Sequence, residues 1–403
     1  MFFFEKKNQK TFAPLHPTRR LRRDSTNKSL LLLFFRKEDF LRCLYLSLFA
    51  ALFLLPLTQM LYPLVQIDPL QENRLRAAPP ALRDLARPSV FITRAQDWFN
   101  DHYGFRDLLI RAETQADYSL FGVSDRIHIG QQGWLYYRSV IDHEEPLVES
   151  MTDADLDRAI ALFTRLRDFL AGRGIRLIVI TNQLKDRFYP EFLPPTAQWA
   201  RARHRFDDFR RRLHALPGIT YIDTTDSLQQ LKTRRPIFFK TDFHWNEPAA
   251  FETAAELVND IAALSGLPTP FWHAKLAIDH RPYSGGQAMF MPLFDPPSED
   301  GLFVHQTWTD LPLTYDFHQA PFELVTKAPP GTHRLPPTVA DGDSFFDVML
   351  RCGLESQFDE LHIARGVPNL DAALRAIPAD TKFFILQFIE IRLPELEAVS
   401  IPN

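Results

Sequence analysis

Three hydrophobic patterns succeed one another along the chain. Residues 43–65 read CLYLSLFAALFLLPLTQMLYPLV, with no charged position. About 20 apolar residues suffice to cross a bilayer as a helix. Pro56 and Pro63 fall toward the far end of this run, where a kink or an exit is tolerated. Residues 66–90 are rich in Pro, Arg and Ala and read as a tether. From Ala95 the spacing fits an amphipathic helix with Trp98, Phe105, Leu108 and Leu109 as candidate core positions. Short runs at 126–130 and 134–137 flank Gln131-Gln132-Gly133, which predicts a hairpin.

Beyond Tyr137, helical periodicity alternates with short apolar runs. Helices are predicted over 153–170, with Thr152 or Asp153 as cap, and over 200–216, 247–264 and 370–377, with another starting at Ser344. Strands are predicted over 175–181, 219–222, 337–341, 360–364 and 382–388. The nearly continuous apolar run IRLIVIT at 175–181 marks a strand buried on both faces. Residues 267–330, rich in Pro, Phe and His, show no regular period. Alternating strands and helices predict an α/β sandwich around a mainly parallel sheet.

Composition changes this picture little. The 403 residues are 45% hydrophobic and 24% charged, with a formal net charge of -4, ordinary for a globular domain. No long basic stripe marks a nucleic-acid binder. The two cysteines, Cys43 and Cys352, exclude a disulfide framework. Charge matters more at the N-terminus, where Lys6, Lys7, Lys10, Arg19, Arg20, Arg22, Arg23, Lys28, Arg36, Lys37 and Arg42 precede the apolar run. The positive-inside rule keeps this side cytoplasmic and translocates the chain beyond Val65. A cleaved signal peptide is the competing reading, but the basic region and the apolar run are both long for one. The expected organisation is a loosely attached basic segment at 1–42, a transmembrane helix at 43–65, a linker at 66–90 and one domain over 91–403.

Two constellations carry chemistry. Ser344, in Gly342-Asp343-Ser344-Phe345, stands where a strand should turn into a helix. There the free N–H groups and the positive end of the dipole favour negative charge. A backbone N–H at Ser344 or Phe345 is a candidate oxyanion donor. Taken as local structure alone, Ser344 is simply a helix N-cap. The second constellation is Asp242-Phe243-His244-Trp245. In an extended segment positions i and i+2 point the same way, so Asp242 and His244 emerge together as an orienting acid and a base. Trp245 is a candidate wall that excludes water. Asp-x-His also offers two metal ligands, yet no third ligand is evident, so no metal or cofactor is expected.

These segments resemble the alginate O-acetyltransferase type of SGNH-hydrolase-like protein. The resemblance rests on Trp98-Phe99-Asn100-Asp101-His102-Tyr103-Gly104-Phe105-Arg106-Asp107 with Gly130-Gln131-Gln132-Gly133-Trp134, on Lys240-Thr241-Asp242-Phe243-His244-Trp245-Asn246, and on Gly342-Asp343-Ser344-Phe345. The acid–base pair precedes the serine by about a hundred residues, the permuted order of that family. The chain departs from the pattern at Thr181–Pro190, which lacks a proline before Lys185, and at Gln287, where relatives often carry Asp.

The resemblance implies a three-layer sandwich over roughly 90–400, with Ser344 as nucleophile, His244 as base and Asp242 as its acid. It implies Lys185, Tyr189 and Gln287 as pocket residues beside Trp245. It also implies a polysaccharide acceptor and a membrane-bound O-acyltransferase as acyl donor partner. The protein would then sit in the inner membrane with its catalytic domain in the periplasm. Transfer of an acetyl group, hydrolysis by an esterase and a non-catalytic scaffold of an export complex remain the three readings.

Overall fold

The computed structural model describes residues 26–70, 74–273, 275–307 and 312–402. The chain divides into two compact units, one through Ile67 together with Arg76–Arg106, the other comprising Asp68–Leu75 and Asp107–Asn403.

The first unit contains a helix over Thr26–Leu61, whose stretch Phe40–Leu61 is long and apolar enough to cross a membrane. Its apolar side chains, including Leu46, Phe49, Leu52 and Phe53, face outward. The helix stops at Leu61, short of the expected Val65, because the Gln59 side chain folds over the turn. Its amide oxygen accepts from Leu64 and Val65 N–H, and its Nε2 donates to the Val65 carbonyl. Helix also replaces the loose segment expected before residue 43, from Thr26 onward; residues 1–25 lie outside the described part. The linker expected over 66–90 contains a helical turn at Leu82–Ala86 and the start of a helix over Pro88–His102.

A second helix covers Arg106–Ala116, so the single helix expected around residues 95–109 is broken at Tyr103–Phe105. Phe105 sits at φ 66° there. The expected core positions are not core: Trp98 and Phe105 are half-buried, and Leu108 and Leu109 are exposed. The buried side chains are instead those of Asp101 and Asp107, which accept from the main-chain N–H of Ala77 and Leu70 respectively.

After the helix over Arg106–Ala116, the second unit continues with the hairpin β1 (Ile127–Ile129) and β2 (Leu135–Tyr137). A helix over Asp153–Ala171 comes next, capped by the Thr152 hydroxyl, and leads into β3 (Arg176–Asn182). After the short helix Lys185–Phe188, the next long helix spans Arg205–His214, shorter than expected. Pro194 and Pro195 commit the preceding residues to a tighter helical turn, and Arg203 is drawn inward to Asp186 and Glu145. Then come β4 (Thr220–Asp223), a helix over Thr224–Lys232 and a helix over Glu247–Leu264.

The region without a sequence period holds β5 (Ala277–Tyr283), β6 (Glu299–His305), β7 (Thr314–Gln319) and β8 (Phe322–Lys327). The chain ends with β9 (Thr338–Gly342), a helix over Ser344–Arg351, β10 (Glu360–Arg365), a helix over Leu370–Arg375 and β11 (Phe383–Ile389).

Seven strands form the main sheet in the order β4-β3-β11-β9-β10-β8-β7. The first five are parallel, and the hairpin β7–β8 adds an antiparallel edge. All of β11 is buried, as a strand covered on both faces requires. One face packs on the helices at 224–232, 247–264 and 344–351; the other packs on those at 153–171, 205–214 and 370–375. This is the expected three-layer α/β sandwich. The carboxyl ends of its strands bring Ile389, paired with Asn182, beside the end of β9, where Ile389 N–H donates to Asp343 next to Ser344.

Candidate active site

Ser344 is placed by regular structure. Strand β9 runs in register between β10 and β11 and is wholly buried. Gly342 ends it where a Cβ would lie 2.6 Å from the Phe346 Cβ, so the chain turns into its helix only without a side chain there. Asp343, not Ser344, is the N-cap: its Oδ1 accepts from Phe345 N–H at 2.9 Å and its Oδ2 from Ile389 N–H at 2.8 Å. Burial raises the Asp343 carboxyl above its ordinary range, and these two N–H groups oppose the rise. Ser344 thereby becomes the first helical residue, with an exposed hydroxyl. The Phe345 N–H is used by the cap, which leaves Ser344 N–H as the expected oxyanion donor of the two.

Asp242 and His244 are placed by a turn. Phe238 bridges to Trp245, Asn246 N–H donates to the Ile237 carbonyl, and Asn246 caps the helix at 247–264. The chain between bends rather than extending. Asp242 Oδ1 accepts both His244 N–H at 3.0 Å and the ring Nδ1–H at 2.7 Å. That bond assigns the tautomer, so Nε2 is the acceptor for the Ser344 hydroxyl at 2.8 Å. The two side chains meet as the sequence predicts, though through a turn closed by the carboxylate itself.

The second oxygen of Asp242 accepts from the Tyr283 hydroxyl at 2.6 Å and from Gly286 N–H at 2.8 Å. Burial pushes this carboxyl up, but the hydrogen bond and charge of His244, then Gly286 and Tyr283, outweigh it. The group is held well below the usual carboxylate range. Gly285 is required for the approach, since a Cβ there would lie 2.5 Å from the Asp242 Cβ. Glu299 grips the preceding residues, accepting from Lys240 N–H, Thr241 N–H and the Thr241 hydroxyl.

The four expected substrate-contact residues are corrected by burial. Trp245 is fully buried, and its Nε1 donates to the Phe345 carbonyl at 3.1 Å, tying the acid–base segment to the serine helix. Tyr189 is buried with its ring 4.1 Å from that of Trp134, and its hydroxyl accepts from Ile237 N–H. Lys185 and Gln287 are buried against one another behind Asp242. All four support the turn and none presents a surface to a substrate. Sequence reading missed Tyr283, Gly286 and Glu299. Their only signal was the block Ser284-Gly285-Gly286-Gln287, where the chain departs from the family pattern. A cavity of about 510 Å³ borders Lys240, Thr241 and Glu299 but is not lined by Ser344 or His244.

Residues 127–293 match the family model described as "SGNH hydrolase-like domain, acetyltransferase AlgX". The chain is 28% identical over 206 residues to the probable alginate O-acetylase AlgJ of Pseudomonas syringae pv. tomato, covering 50% of each chain. It is 32% identical over 208 residues to that of Pseudomonas fluorescens, again covering 50% of each. The chain thus spans about half the length of the curated relatives it matches.

Among solved structures, the O-acetyltransferase domain of Pseudomonas putida AlgJ is similar with a TM-score of 0.45 at 19% identity, over 68% of this chain and 95% of that one. Bacillus cereus PatB1 with a sulfonyl adduct gives 0.47 at 13% identity, over 66% and 97%.

Proposed function

We propose that this chain, which carries an SGNH hydrolase-like domain of the alginate O-acetyltransferase type, moves an acetyl group to a polysaccharide hydroxyl through an acyl-serine. The observation that carries the reading is the unbroken pair of hydrogen bonds from Ser344 through His244 to Asp242. Ser344 Oγ attacks the acyl carbonyl as His244 Nε2 takes its proton. The tetrahedral oxyanion is met by the Ser344 N–H, and the leaving group departs with the proton from His244. An acceptor hydroxyl then attacks the acyl-serine, giving its proton to Nε2, and the ester product leaves as Ser344 is reprotonated. Asp242 holds the ring and stabilises the imidazolium.

The apolar helix at Phe40–Leu61 and the basic segment before it support an anchor in the inner membrane with the site on the periplasmic side. Cytoplasmic acyl-CoA is then out of reach, so a membrane-bound O-acyltransferase is the fitting donor partner. The names of the curated relatives favour an alginate-like acceptor. Ser344 is exposed, which also leaves water as a competing acceptor.

The test is turnover of a chromogenic acetyl ester by the full chain in detergent. Ser344→Ala should cut it by about 10³-fold or more, and a serine-directed phosphonate should label only the unsubstituted protein. Turnover that survives the substitution would remove Ser344 from the mechanism. Acetylation of added glycan against release of free acetate separates transferase from esterase.

A further inference from the structure

The acid stands on a segment that no sheet ladder holds, and a buried cation reaches that segment from another part of the chain. Lys185 opens the short helix Lys185–Phe188 just beyond the carboxyl end of β3. Its side chain is 2% exposed. Nζ donates to the main-chain carbonyl of Asp242 at 2.7 Å, of Lys240 at 3.0 Å and of Phe239 at 3.4 Å, and to Gln287 Oε1 at 2.5 Å. Three carbonyls of the acid's own backbone are therefore gathered on one ammonium.

Removing an ammonium from water is costly unless its donors are satisfied. Here the acceptors are oxygens of the turn that carries Asp242. Burial pushes the Lys185 ammonium down, and against the opposing negative charges of Asp242, Glu299 and Asp186 it still comes to about 7. A ring of oxygen acceptors suits the charged, three-donor form. Gln287 completes the clamp from the segment that also supplies Gly286 N–H to the Asp242 carboxylate.

We propose that Lys185, seconded by Gln287, is a positioning residue that fixes the 239–242 backbone so that the Asp242 carboxylate stays aimed at His244. It touches neither acyl donor nor acceptor. The proposal rests on the Ser344–His244–Asp242 reading, and its test separates the two.

Lys185→Met, Asp242→Asn and the double variant are compared in the full chain, using ester turnover and thermal melting. Lys185→Met should lower kcat by about 10- to 100-fold with KM within about twofold. On the Asp242→Asn background it should cost nothing further, because a residue acting through Asp242 has nothing left to orient. Should Lys185→Met fail to fold, Gln287→Met keeps the ammonium and loosens the clamp, with a smaller loss that Asp242→Asn must again absorb.

A kcat for Lys185→Met within twofold of the parent overturns the proposal. So does a loss that multiplies with that of Asp242→Asn, or one carried by KM. If Asp242→Asn is itself as active as the parent, the triad reading fails instead.

Discussion

The segments on either side of the Ser344–His244 hydrogen bond are built by different means. On the Ser344 side, β9 lies in a parallel ladder between β10 and β11, and Asp343 locks its end by accepting from Phe345 and Ile389 N–H. On the Asp242–His244 side, residues 239–244 have no ladder. Two main-chain bonds reach them, Leu135 N–H to the Lys240 carbonyl and Ala288 N–H to the Thr241 carbonyl. The rest of the support comes from Lys185 (itself held by Gln287), Tyr283, Gly286 and Glu299, arriving from separate stretches of the chain. A backbone ladder is insensitive to most side-chain changes, whereas a turn held by buried polar side chains feels each one. Substitutions in the two regions should therefore separate into effects on stability and effects on rate.

The sharpest break of this contrast is Asp242→Asn. The amide occupies the same space but cannot hold the imidazole in the tautomer that frees Nε2 for the serine proton. Ester turnover is expected to fall by about 10³- to 10⁴-fold, with the fold retained. A loss smaller than tenfold would show that the turn orients His244 without its acid. The pH dependence has a definite sign. The folded pKa of Asp242 is depressed, so its contribution to stability is present above the ordinary carboxylate value of 3.8 and is lost as pH falls toward the lowered one.

The same contrast explains what the sequence made legible. Strands β3 and β11 stand out as nearly continuous apolar runs and the helix at 247–264 by its 3.6-residue period. By contrast β9 and β10, which carry Asp341, Glu360 and His362, were placed by their alternation with helices. Ser344, Asp242 and His244 were singled out because three short motifs occur in an informative order, and the structure joins their side chains in one line of hydrogen bonds. β5 to β8 were not, since they are antiparallel, partly exposed and interrupted by polar residues and prolines. Nor was the support of the turn. Nothing local in Lys185-Asp186-Arg187 says that the lysine is buried against carbonyls 55 and 57 positions away. Trp245 misled in the same way: a tryptophan beside a base suggests a substrate wall, but its indole packs inward and holds the serine helix.

On the ladder side, Asp341 offers a test in the opposite direction. It is fully buried in β9 opposite Ala364 and Leu386. Burial pushes its carboxyl up to about 8, the Gly366 N–H opposes, and the charge of Asp343 adds to the rise. A folded pKa raised above the unfolded 3.8 means that folding favours the protonated acid, so stability is lost as pH climbs toward 8. Asp341→Asn should therefore raise Tm by several degrees at pH 8 to 9, corresponding to a few kcal/mol at most. It should make little difference near pH 4, and ester turnover should stay within about twofold. Equal melting curves at both pH values would show that Asp341 is ionised in the fold.

The smallest effect tests how many side chains the turn needs. Tyr283, at the end of β5, donates its hydroxyl to Asp242 Oδ2, and Gly286 N–H reaches the same oxygen. Burial and the adjacent Asp242 charge raise the phenol above its usual range, so it remains a donor throughout the pH range of the ester assay. Tyr283→Phe removes one of the two bonds and keeps the ring, which packs 4.6 Å from that of Phe239. A hydrogen bond to a charged group contributes about 1.5–3 kcal/mol. The retained Gly286 bond places the expected loss in kcat near the low end, at about tenfold, with KM unchanged. No loss would mean that main-chain N–H groups suffice to aim the Asp242 carboxylate, bringing this side closer to the ladder beside Ser344. A loss beyond a hundredfold would mean that the acid–base turn collapses with its first missing side chain, and the two regions would differ more than their hydrogen bonds suggest.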